Sequence, residues 1–218
     1  MDTPTGQAKL SQALPRQATE TPPKRKKKKL PKVLSRAEAA ELLRLTETGS
    51  RTANRDKLLL LLMYRAGLRV SEAVSTRPRD VERDGVIHLY DAKGGDGTAY
   101  FTPDTILPTL DAYLVQRTAW LEPDGDPTLP LLINPDGSTV TVRYVQRLVA
   151  RLKAKAGIQG IVTPHVFRHS FATELIEDGF PLHEVQRLLR HANIATTEVY
   201  LHVRDESLRG KMARRGQH

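Results

Sequence analysis

The sequence predicts a mainly α-helical fold with one small three-stranded antiparallel sheet. Two features of the chain lead to this expectation. Most of residues 33–204 carries apolar side chains at helical spacing, in segments closed by glycine or proline. One window alone, residues 80–102, breaks into short runs (DVERDG, VIHLYD, GTAYFT) separated by the turn residues Asp84-Gly85 and Gly94-Gly95-Asp96-Gly97. A third feature bounds the fold: residues 1–30 are polar, rich in Pro and Thr and without periodicity, which predicts a disordered basic arm.

The folded part opens with LPKVLSRAEAAELLRLTETG, where Ser35 and Glu38 have capping-box spacing and a helix runs to about Thr46. Asn54 to Arg65, with its LLLLLMY run, reads as a buried helix ended by Gly67. Arg69 follows the break and a further helix starts at Ser71-Glu72, so this arginine is held between two helices. After the sheet, residues 104–119 carry Ile106, Leu107, Leu110, Tyr113 and Leu114 on an amphipathic helix. A loop rich in Pro, Gly and Asp leads to LLIN at 131–134, a short apolar strand or core segment. Thr141 to Ala156 is a helix with Val145, Leu148, Val149 and Leu152 on one stripe, stopped by Gly157. Helices are then expected from Pro164, over Pro181–Arg190 and around Tyr200, with a short one around Glu206–Ala213.

The 218 residues suffice for one large domain with tails, and their 39% hydrophobic content fits a chain that is partly disordered. Without cysteine there is no disulfide, no thiol catalysis and no Cys-ligated zinc. No apolar run approaches the ~20 residues that span a bilayer, and the first residues lack a signal-peptide core. A cytoplasmic, nucleoid-associated protein is expected. Net charge is +9, and residues 1–32 hold nine Lys or Arg against two acids, leaving only +2 for the rest. A polyanion is the expected partner. Lys24, Arg25, Lys26, Lys27, Lys28 and Lys29 form a solvated charge run, a flexible arm for phosphates or, in a eukaryotic chain, a nuclear address.

The chemistry concentrates in TPHVFRHSFATELIEDGFPLHEVQRLLRHANIATTEVY, residues 163–200. Thr163-Pro164 is a helix start with a capping side chain, and His165 and Arg168 lie one turn apart on one face. That helix N-terminus favours an anion. His191 and Tyr200 follow. A phenol can attack phosphorus, a guanidinium can fork two phosphate oxygens, and an imidazole can move a proton. Singly, each residue has an ordinary structural explanation; their company is what suggests phosphodiester cleavage.

With AGLRVSE, the DAKGG hairpin, TPHVFRHSFAT and LLRHANIATTEVYLHV in this order, the chain resembles the catalytic domain of the tyrosine recombinases, the phage integrase family, of the Xer-like bacterial type. The resemblance covers roughly residues 30–205, implies that family's DNA breaking-rejoining fold, and sets the catalytic domain at residues 31–204. It places six active-site positions on Arg69, Lys93, His165, Arg168, His191 and Tyr200. It implies that Tyr200 cleaves double-stranded DNA to a 3′-phosphotyrosine, with neither metal, ATP nor other cofactor. Arg69 and Arg168 would clamp the non-bridging oxygens, and Lys93 would protonate the leaving 5′ oxygen. His165 would be the base for the phenol or a further phosphate contact, and His191 a hydrogen-bond donor to the phosphate. Glu72 would orient Arg69 from behind.

The chain also departs from the family pattern. The lysine turn KGGDGTAYF has no following Lys or Arg, where the family usually has a second basic pair. Arg190 stands where the family mostly has Gly, as an added phosphate contact or a surface change. Before residue 31 the expectation is a disordered arm in place of the family's helical clamp domain of about a hundred residues. An accessory DNA-binding protein is therefore a candidate partner. The resemblance further implies a homo-tetramer on synapsed DNA, with residues 205–218 as a tail carrying a candidate exchanged helix. The alternatives are a DNA-binding or regulatory protein without activity and a monomeric topoisomerase-like nicking and resealing protein.

Overall fold

A computed structural model describes residues 32–47, 49–90, 95–121, 126 and 128–190. The chain begins with α1 (Arg36–Arg44), whose capping box forms as the spacing predicts: the Ser35 hydroxyl accepts from the Glu38 N–H, and the Glu38 carboxylate accepts from the Ser35 N–H. Upstream of it the chain is tied to distant elements. Lys32 donates to the Gln159 carbonyl at 2.7 Å, and the Leu34 N–H donates to Ser170 Oγ at 2.8 Å.

Helix α2 (Ala53–Arg65) is the central element, packed by α1, α3, α4 and α6. Every residue from Leu58 to Tyr64 is buried, which accounts for an apolar run without a polar face. Helix α3 (Val70–Ser75) leads through a 3₁₀ turn at Pro78–Asp80 into the sheet. Helix α4 (Pro103–Thr118) starts on a proline at its first position, as the fixed φ of that residue favours. Helix α5 (Val142–Lys155) is capped by the Thr141 hydroxyl and buries the expected stripe of Val145, Leu148, Val149 and Leu152. Helices α6 (Pro164–Glu177) and α7 (Leu182–Leu188) share a small apolar cluster of Ala172, Ile176, Val185 and Leu189.

Three expectations need correction. Among the described residues the sheet has two strands, β1 (Val86–Leu89) and β2 (Gly97–Tyr100), paired antiparallel from Val86↔Tyr100 to Leu89↔Gly97. The third run contributes only a bridge from Val81 to Ile87, because the 3₁₀ turn ends at Asp80 and the Asp84-Gly85 turn begins too soon after it. Thr163 is the N-cap of α6 but makes no side-chain capping bond; the first turn closes through Val166 N–H to the Thr163 carbonyl. Helix α7 ends at Leu188, two residues short of the expected Arg190. The segment 131–134 is a buried core segment with a single bridge, Ile133 to Thr139.

Candidate active site

The site is built where α2 ends. Gly67 takes a φ of +63° there, and the Leu68 N–H reaches back to the Leu62 carbonyl at 3.0 Å. A side chain at Gly67 would collide with Phe171, whose Cδ1 lies 2.6 Å from the position of an ideal Cβ. Glycine is thus required both for the turn and for the approach of α6. The turn delivers Arg69 to the N-cap of α3.

Glu72, one turn into α3, is 3% exposed and gathers the cations. Its Oε2 accepts from the Arg69 N–H at 2.7 Å and its Oε1 from Arg69 Nη1 at 2.6 Å. Arg190 Nη2 donates to Oε2 at 2.5 Å, and Arg168 Nη1 stands 3.8 Å from the same oxygen. Burial alone would raise the Glu72 carboxyl's pKa. The Arg69 N–H, the charge of Arg190 and the Arg69 guanidinium outweigh it, holding the group below the usual glutamate range.

Arg168, on α6 and 6% exposed, is fixed by main-chain acceptors: its guanidinium donates to the carbonyls of Gly67 and Leu189. Arg69 Nη2 donates to the carbonyl of Arg190 at 3.2 Å. The two arginines thus bind successive carbonyls where the chain leaves α7, and share Glu72 on their other side. Among the described residues the cluster sets three guanidiniums against one carboxylate, a surplus of positive charge suited to an anion.

His165 is exposed on the first turn of α6. Arg190, whose role the sequence leaves open, turns its guanidinium inward to Glu72, and its side chain is only 14% exposed. Lys93, His191 and Tyr200, the arm residues Lys24, Arg25, Lys26, Lys27, Lys28 and Lys29, and the tail 205–218 lie outside the described residues. Residue types do not mark the carbonyls of Gly67, Leu189 and Arg190 as the acceptors that aim the arginines. Backbone acceptors carry no residue-type signal; the only hint was that a glycine break and a helix end flank the two arginines.

This architecture is that of the tyrosine recombinase catalytic domains. The sequence profile of the phage integrase family matches residues 32–207, and the chain belongs to that family. It is 39% identical over 185 residues to the tyrosine recombinase XerA of Thermococcus kodakarensis, covering 83% of this chain and 61% of that protein. Its fold superposes on the crystal structure of XerA recombinase with a TM-score of 0.72 at 28% identity, over 85% of this chain and 65% of that one. It matches XerH site-specific recombinase, bound to difH substrate in a pre-cleavage complex, with a TM-score of 0.66 at 27% identity, over 82% and 52% of the two chains. The chain spans about three fifths of the length of the curated relatives it matches.

Proposed function

We propose that the chain is the catalytic domain of a site-specific DNA recombinase, acting on double-stranded DNA in the nucleoid through a 3′-phosphotyrosine. The observation that carries this reading is the convergence of Arg69 and Arg168 on Glu72. Two side chains so far apart in sequence approach the same carboxylate, amid a local excess of positive charge. Family membership and the XerH complex with its difH substrate support DNA as that anion's source.

In this mechanism the guanidiniums of Arg69 and Arg168 fork the non-bridging oxygens and stabilise the charge that builds at phosphorus. The Tyr200 oxygen attacks, forming the phosphotyrosine bond to the 3′ side while the bond to the 5′ oxygen breaks. The phenol proton passes to His165, and Lys93 protonates the departing 5′ oxygen. His191 donates a hydrogen bond to the phosphate. Attack by a 5′-hydroxyl reverses every step, so the phosphoester bond is conserved without ATP or a metal. Four such domains assemble on two duplexes, the tail 205–218 passing between neighbours.

The test is incubation with nicked suicide duplexes, including DNA flanking the chain's own coding sequence. A covalent protein–DNA band is expected from the native chain and none from Tyr200→Phe. A band that persists in Tyr200→Phe, or no band on any duplex, overturns the reading. Removal of residues 205–218 should abolish recombination and spare cleavage; recombination that survives rules out the exchanged tail.

A further inference from the structure

Arg190 combines features that an arginine in solvent would avoid. Among the described residues it alone takes a positive φ, 52°, without being glycine. Its guanidinium enters between α3 and β2, donating to Glu72 at 2.5 Å, with Nη1 3.4 Å from the Thr98 carbonyl on β2. Its Nε is buried with no acceptor among the described residues. Burial draws the guanidinium's pKa down, and Glu72 only partly restores it. Its stem crosses β2 at Gly97, where an added Cβ would lie 2.9 Å from Arg190 Cδ. Glycine at 97 is the slot through which the arginine passes.

The strand needs such a fastening. Residues 94–102 contain no Lys or Arg, so β2 itself carries no cation to set against the carboxylate. Among the described residues strand β2 has one paired neighbour, β1, and its first residue, Gly97, follows Lys93 by four positions in the sequence. We propose that Arg190 is a positioning residue that fastens β2, the strand that follows Lys93 in the sequence, to Glu72 beside the arginine pair. The consequence for catalysis rests on the DNA-cleavage reading above, in which Lys93 protonates the leaving oxygen.

Arg190→Gly tests this, since glycine accepts the left-handed backbone while the side chain that spans Glu72 and β2 is removed. In the full chain, amide exchange over residues 97–100 should accelerate by about tenfold or more relative to α2. Single-turnover cleavage of an ordinary suicide duplex should slow by about 10–100-fold, part of what a general acid supplies. A duplex with sulfur replacing the bridging 5′ oxygen needs no proton on its leaving group, and should be cleaved at nearly the native rate. Arg190→Lys, which returns a charge, should recover part of both losses. Unchanged exchange over 97–100 overturns the proposal whatever the activity, and equal slowing on both duplexes overturns its link to the general acid. If the native chain cleaves no duplex, the cleavage reading fails while the exchange measurement still decides whether Arg190 fastens β2.

Discussion

Arg69 donates to the main-chain carbonyl of Arg190 at 3.2 Å while the side chain of Arg190 binds the carboxylate that holds Arg69. The two residues are thus locked twice, once through the backbone and once through Glu72. Arg168 joins the same frame through the Leu189 carbonyl. The exit of α7 and the start of α3 behave as one rigid joint, and His191 is the next residue along the chain.

Removing the charge at the centre of that joint should be costly. Glu72→Gln keeps the shape but takes from Arg69 and Arg190 the carboxylate that they bind. A loss of about 3–5 kcal/mol is expected, the range for breaking a buried ion pair on one side. Urea unfolding measures it, and a change below about 1 kcal/mol would mean that the arginines are held by their carbonyls alone.

The same carboxylate gives the stability a pH dependence. Folding lowers the Glu72 pKa, because the Arg69 N–H and the neighbouring guanidiniums outweigh the effect of burial. Its contribution is therefore present in full above the ordinary glutamate pKa of about 4.3, and is lost as pH falls through the lower folded value. The difference in urea midpoint between the native chain and Glu72→Gln should be constant from neutral pH to about 5 and shrink below about 4. A difference that stays constant down to about pH 3 would show that the charge of Glu72 is not what the joint uses.

Gly67 is the second sensitive point. In Gly67→Ala the added methyl meets Phe171 at 2.6 Å and sits at a φ of +63°. Strain and overpacking together should cost about 2–4 kcal/mol. The carbonyl that aims Arg168 belongs to this residue, so cleavage should fall as well, even at temperatures where the variant stays folded. A folded variant with native cleavage would show that Arg168 does not depend on this turn.

The basic arm makes a separate prediction about affinity. Removing residues 1–29 should flatten the dependence of DNA binding on salt, each lost phosphate contact reducing the logarithmic slope by about 0.9. Binding titrations between about 50 and 200 mM salt measure it. An unchanged slope would mean that Lys24 to Lys29 touch no phosphate.

Much of the helical frame could be read in advance because its signals are local. The Ser35–Glu38 box, the glycine stop at 67 and the α5 stripe each depend on residues within a turn or two. The third strand was over-read: DVERDG has turn residues in the right places, but the preceding 3₁₀ turn consumes the length a strand would need. Contacts between elements were not legible. Nothing near Tyr64 in the sequence announces that its hydroxyl donates to Glu174 on α6. Nor does anything announce that Arg55 lies buried against Asp56 and Tyr144. At the site, residue types named Arg69, Arg168 and Glu72, whereas the inward turn of Arg190 depends on a backbone angle that its neighbours in sequence do not encode.

The narrow passage of Arg190 over Gly97 also constrains how this lineage can change. A methyl group at 97 meets the Arg190 Cδ at 2.9 Å, so the arginine stem must shift to admit it, on a residue whose backbone is already left-handed. Substitution at 97 is therefore coupled to the side chain at 190, and the easier route to a bulkier residue at 97 passes first through a shorter one at 190.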